Sequence, residues 1–365
     1  MTPLAWMGLG ALMVVVATAA HYAFWRWRLG MPAIEDELHL AATSDGWWLA
    51  LGRCRPSGPP RGPPVLLVHG ILMNRQAFEF GLERYALARY LSRAGFDCFS
   101  LDLRGHGDSR RAAGTSRLGT WNLDTYLQLD LPAALDEIRR VTGSEQVLYV
   151  GHSQGAILGL AAAGLYPARI AALVALAGPA HFDAQEQLRR LVGFHYPLRG
   201  KLTRFLARCI APFAGYWHPQ LAQLAVNLRN VEPRVYRRLL ANAIENIPAG
   251  VLEQFGAFIR EDSFRAMDGS RDYRAALEEC RQPALFVAAE RDGLAPPSVV
   301  QAAHRRWGGP KQYVIFEREW GHTDLLLGRR APEVVYPVVR DWLAAHAGGA
   351  PRTAEPAGPT HVHAD

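Results

Sequence analysis

The sequence predicts an α/β fold: a mostly parallel central sheet flanked by helices, with a helical cap inserted before its last strands and one apolar helix ahead of it. Three observations predict it. Short apolar runs at 65–68, 146–150, 170–177 and 284–289 alternate with segments of helical periodicity, the pattern of strands covered by helices on both faces. Residues 181–281 keep helical periods but contain no strand run. Residues 4–25 carry no charge at all.

That uncharged stretch comes first in the chain. As a helix, its roughly 22 positions span about 33 Å, enough to cross a hydrocarbon core of about 30 Å. Trp6, Tyr22, Trp25 and Trp27 lie near its ends, where interfacial aromatics belong. A cleaved leader is the alternative, with Ala17-Thr18-Ala19 as a small-residue site. The missing basic n-region and the length of the run favour an uncleaved single-pass anchor over residues 1–30. Arg26 and Arg28 follow the span and nothing basic precedes it, so the positive-inside rule puts the body on the cytoplasmic side of the membrane.

Residues 37–43 and 47–54 read as a hairpin around Ser44-Asp45-Gly46, followed by a Pro- and Gly-rich loop at 56–64. The strand at 65–68 ends at His69-Gly70, and helical periodicity follows through 85–91. A strand at 97–103 closes in Arg104-Gly105-His106-Gly107-Asp108-Ser109. A helix opening at Asp130-Leu131-Pro132 leads to the strand at 146–150, a helix at 156–166 and the strand at 170–177. The cap, 181–281, carries Leu202, Phe205, Leu206 and Ile210 at helical spacing, which fits lid core better than membrane contact. Strands at 284–289 and 313–316 and a helix at 332–345 finish the core, so its two parts are 37–180 and 282–346. The tail, 347–365, is rich in Ala, Gly, Pro, Thr and His and is predicted to be disordered.

Composition excludes some classes of function. The formal charge is +6, but only Lys201 and Lys311 are lysines, and no basic run is interleaved with aromatics. That argues against nucleic acid as a partner. Cys54, Cys98, Cys209 and Cys280 are far apart and form no C-x-x-C, so neither a zinc site nor a disulfide framework is expected.

The chemistry centres on Gly151-His152-Ser153-Gln154-Gly155, where an apolar strand runs into two glycines with a serine between them. A strand interior disfavours glycine, but a tight strand-to-helix turn needs small neighbours around a strained nucleophile. A serine hydroxyl needs a base, usually an imidazole, and the imidazole needs a carboxylate to fix its tautomer. In such sheets the order along the chain is serine, acid, histidine. Asp292 lies in a Gly- and Pro-marked loop just after the 284–289 strand, with Glu290 its rival. His322 lies behind Gly321 in the loop after the strand ending at Phe316, a setting that His181, His195, His218, His304 and His346 lack. The expected triad is Ser153, Asp292 and His322. The backbone N–H groups of Gln154 and Ile71 are the expected oxyanion donors, and His69 is expected to shape its loop without carrying protons.

With those residues in place, the chain from about 37 to 343 resembles the α/β-hydrolases, and within them it is similar to the acid lipases of the gastric and lysosomal group. The likeness rests on Asp45-Gly46-Trp47, His69-Gly70-Ile71-Leu72, Asp130-Leu131-Pro132-Ala133, the serine pentapeptide, Asp292-Gly293-Leu294-Ala295-Pro296 and His322-Thr323-Asp324. The resemblance implies hydrolysis of lipid-like carboxylic esters under a helical lid, with no cofactor or metal. Two other readings use the same sequence: an acyltransferase with the same triad, and a membrane-tethered, non-catalytic protein on a hydrolase fold.

Overall fold

The structure is a computed structural model that describes residues 2–112, 120–182, 202–216, 222–348 and 360–362. Its strands are β1 (Glu37–Ala42), β2 (Trp47–Cys54), β3 (Val65–Val68), β4 (Cys98–Leu101), β5 (Arg110–Arg111), β6 (Val147–His152), β7 (Ile170–Leu176), β8 (Ala284–Ala289), β9 (Lys311–Phe316) and β10 (Thr360–Val362). They form one sheet in the order β1-β2-β4-β3-β6-β7-β8-β9-β10, with β5 also on β2. The β1–β2 hairpin and the β2–β4 pair are antiparallel, and every neighbour from β4 to β10 is parallel. Every residue of β3, β6 and β8 is buried, which is why these strands read as unbroken apolar runs.

The helices used below are α1 (Pro3–Leu29), α2 (Leu87–Arg93), α3 (Leu131–Thr142), α4 (Gln154–Leu165), α5 (Thr203–Ile210), α6 (Ala249–Glu261), α7 (Pro297–Arg306) and α8 (Ala331–His346). The helix expected over 85–91 is divided: Glu83–Tyr85 is a 3₁₀ turn, and α2 starts two residues later. The strand expected at 97–103 covers only Cys98–Leu101. Asp102 still donates its backbone N–H to the Ala50 carbonyl at 2.9 Å, while its carboxylate accepts the Arg75 and Asp108 N–H groups at 2.7 and 2.9 Å. The tail also departs from expectation. Thr360–Val362 pairs in parallel with β9, so edge pairing orders a segment whose composition suggested a loose end. Residues 349–359 and 363–365 lie outside the described residues.

Three short motifs, far apart in sequence, meet beneath the sheet's C-terminal edge. Buried Arg104 donates from its backbone N–H and its Nε to the two carboxylate oxygens of fully buried Asp130, at 2.9 and 2.7 Å. Its Nη1 and Nη2 reach Asp45, at 2.5 and 3.1 Å. The Asp45, Arg104 and Asp130 motifs are thus one structural clamp. Asp130→Ala leaves the guanidinium with Asp45 alone, whose side chain is 40% exposed. It is expected to cost about 3–5 kcal/mol of stability, as breaking a buried pair does, read as a lower urea midpoint.

In the cap, the described residues form α5, a short helix at Pro233–Arg238, α6 and several single turns; 183–201 and 217–221 lie outside the described residues. The apolar stripe is not lid core. Leu202, Phe205, Leu206 and Ile210 are each about half exposed, because α5 lies on the outer surface of the cap. Only Leu29 in α1 is buried. The helix stands clear of the body except at its C-terminal turns, where the Asn242 side chain donates to the Leu29 carbonyl at 2.9 Å.

Candidate active site

Strand β6 ends at His152 and α4 begins at Gln154, so Ser153 occupies the whole turn between them, with φ +55° and ψ −118°. An L-residue adopts that conformation only under constraint from its surroundings. The flanking glycines explain how the turn closes. A Cβ on Gly155 would lie 1.9 Å from the Val68 carbonyl oxygen, and one on Gly151 would lie 2.3 Å from the Gly155 oxygen. The strand, the turn and the next helix fit only without those carbons. The Ser153 N–H donates to the Leu176 carbonyl at 2.8 Å, pinning the turn to β7.

His322 follows β9 and Asp292 follows β8, both buried, and His322 Nδ1 lies 2.7 Å from Asp292 Oδ2. The other carboxylate oxygen accepts the Leu294 and Ala295 N–H groups at 2.8 and 2.7 Å. Those two bonds fix the carboxylate so that it accepts from Nδ1–H, which leaves Nε2 as the basic nitrogen. Glu290 points elsewhere: it is exposed and accepts the Arg318 N–H. The other histidines with described side-chain contacts are occupied too, His181 beside Asp262, His304 stacked on Tyr313 and His346 stacked on Trp342. His195 and His218 lie outside the described residues.

His152 links the serine turn to the histidine loop. Its Nε2 donates to the His322 carbonyl at 3.0 Å, and the two ring centroids are 4.8 Å apart. Burial, with the His322 ring beside it, pushes the His152 pKa down to about 3. The loop after β3 passes close by, since a Cβ on Gly70 would be 3.2 Å from Ser153 Cβ. Its neighbour Ile71 is half-buried and Gln154 is fully buried. His69 donates from Nδ1 to the Gly70 carbonyl and accepts the Leu103 N–H on Nε2, at 2.8 and 3.2 Å. Burial holds its pKa well below the usual histidine value, so it acts as a neutral brace between two loops. The structure therefore gathers Ser153, Gln154, Ile71, Asp292 and His322 at the C-terminal ends of β3, β6, β8 and β9, the edge where open parallel sheets carry their sites.

The alpha/beta hydrolase fold family matches residues 63–328. The chain belongs to that family. Among its relatives, human lysosomal acid lipase/cholesteryl ester hydrolase is 34% identical over 141 residues, which cover 36% of this chain and 35% of the lipase. The chain thus spans about a third of that relative's length. Human gastric triacylglycerol lipase is 32% identical over 155 residues, 39% of each chain. Mouse lipase member M is 26% identical over 355 residues, covering 84% of this chain and 82% of that one. Among solved structures, an esterase from Thermogutta terrifontis superposes with a TM-score of 0.58 at 23% identity, covering 85% of this chain and 99% of the esterase.

One part of this α/β-hydrolase left no mark in its sequence. Cap residues 224–230 form a strap across the loops that carry Asp292 and His322. The Leu224 carbonyl accepts the Gly293 N–H at 3.1 Å, and the Ala225 carbonyl accepts the Thr323 N–H at 2.8 Å. Buried Asp324 accepts the Asn227 N–H and the Asn230 side-chain amide, each at 3.0 Å. Burial raises the Asp324 pKa to about 7 against these donors. The motif containing His322 already held Asp324, but nothing in the sequence pointed to its partners in the cap.

Proposed function

We propose that the protein is a serine hydrolase of carboxylic esters, acting through Ser153, His322 and Asp292. The observation that carries the reading is Ser153 in its strained turn, with a buried, bonded His–Asp pair on the adjacent loops. His322 Nε2 takes the proton as Ser153 Oγ attacks the ester carbonyl. The oxyanion receives the backbone N–H groups of Gln154 and Ile71, donors that are worth a few kcal/mol each in related chemistry. Collapse breaks the ester bond, and the leaving alcohol takes the proton from His322. Water then gives up a proton to His322 as it attacks the acyl-enzyme, and collapse releases the acid while His322 returns that proton to Ser153 Oγ.

Lipid-like esters are the proposed substrates. The relatives named as lipases support that choice, and α1 supports a site of action at a bilayer. It is long and apolar enough to cross one. In this reading α1 is an uncleaved anchor, with Arg26 and Arg28 placing the body on the cytoplasmic side.

Purified protein is expected to turn over a short-chain chromogenic ester, and absence of turnover would favour the non-catalytic reading. Added alcohols or thiols test the acyltransferase reading, which requires acyl transfer to them in preference to water. Activity is expected to rise with pH, since only neutral His322 can act as base. His152, pushed down to about 3, contributes no second limb near neutrality. Chelation is expected to change nothing, and activity that disappears with chelator and returns with added metal would count against the mechanism.

A further inference from the structure

We propose that the outer face of the cap is a second membrane contact, with α5 lying on the bilayer surface beside the point where α1 leaves it. The inference rests on the anchor reading above and adds the orientation of the whole domain.

The contacts of α1 with the cap are confined to its C-terminal turns. Tyr22 stacks on Phe205 and His21 on Phe213, each with ring centroids 5.9 Å apart. Arg208 donates to the Tyr22 hydroxyl at 3.0 Å. These turns are where the uncharged stretch ends, four to five residues before Arg26. Exposed Phe24 and Trp27 lie on the same turns, at the level of an interfacial aromatic belt. A bilayer crossed by α1 therefore has its surface at the height of α5.

The face of α5 suits that position. Arg204 and Arg208, one turn apart, both turn toward acceptors of the protein, although the Arg204 side chain stays about half exposed. Arg204 reaches Glu245 at 3.2 Å, and Arg208 reaches the Ala241 carbonyl at the same distance. The opposite face presents Leu202, Phe205, Leu206 and Ile210, and the chain after it continues with Phe213 at 61% and Tyr216 at 79% exposure. An apolar face this continuous is unusual on a freely soluble surface. It merges with the exposed apolar surface of α1 through the two ring stacks, so one lipid phase covers both. Exposed Arg26 and Arg28 sit at the rim, which favours anionic headgroups. The cap, and not the anchor alone, then meets the lipid.

The test uses full-length protein in vesicles of phosphatidylcholine and phosphatidylglycerol. Cys54, Cys98 and Cys280 are buried and Cys209 is half-buried, so a Cys209→Ser background accepts one fluorophore through Leu206→Cys or Ile210→Cys. Arg305→Cys is the reference: it is exposed near the C-terminal end of α7, and a helix following a parallel strand runs back to the opposite sheet edge. The labels on α5 are expected to be quenched by lipid-borne nitroxide at about 5–10 Å depth, as for interfacial helices, and shielded from aqueous iodide. The Arg305 label is expected to show the reverse. An α5 label that iodide quenches as freely as the Arg305 label would overturn the inference. So would a label shielded from both quenchers, which would mean that protein covers the face. Release of the protein by alkaline carbonate would overturn the anchor and this inference together. The ester-hydrolase reading fails separately, by absence of fluorophosphonate labelling, and leaves the depth measurement unaffected.

Discussion

Ser153→Ala is expected to abolish ester turnover and covalent labelling by a fluorophosphonate, with a loss on the order of 10⁶ in kcat, as removal of a triad nucleophile gives. The substitution removes one oxygen and no core volume, and the Ser153 N–H bond to Leu176 remains. Circular dichroism and the melting temperature are therefore expected to match the parent. The two readouts separate chemistry from folding. A folded Ser153→Ala protein with full activity would overturn the nucleophile assignment, and with it the oxyanion site built around that turn.

Asp292→Asn is expected to lower kcat by about 10⁴, the size seen when a triad acid loses its charge. The local bonds explain why the loss is large. One oxygen of residue 292 accepts two backbone N–H groups, so an amide there must keep its oxygen on that side and turn its NH₂ toward His322. The imidazole then has to accept at Nδ1 and carry its proton on Nε2, the position where it should act as base. Glu290→Gln is the matched control. Among the described residues, the exposed Glu290 side chain accepts the Arg318 N–H, so turnover is expected to change less than about twofold, in line with ordinary surface substitutions. Steady-state kinetics on the pair decide which carboxylate supports the histidine.

The sheet was legible because its central strands are buried on both faces, and burial leaves an unbroken apolar run. The serine turn was legible because the close approach of Val68 to Gly155 excludes any side chain there. What escaped depends on contacts between distant parts of the chain. The Asp102 carboxylate, just past β4, holds the Arg75 and Asp108 amides, and neither bond leaves a periodic trace. Asn227 and Asn230 look like ordinary loop residues, yet both hold Asp324, which lies nearly a hundred positions away. The stripe on α5 shows a different limit. Periodicity reveals that Phe205 and Leu206 share a face, but it carries no information about what covers that face. Composition also misjudged Thr360–Val362, because pairing with an edge strand requires backbone groups more than any particular side chain.

The strap over the Asp292 and His322 loops limits how the cap can move. A lid that swung away as one rigid piece would strip the Gly293 and Thr323 amides of their acceptors and loosen His322 and Asp292 together. Substrate admission by such a swing would unmake the machinery it serves. Any gating motion compatible with catalysis has to hinge outside residues 224–230 and leave that segment seated as part of the floor. The two amides, 30 positions apart in the chain, then belong to one opening unit, and hydrogen exchange at both would report the same rare event.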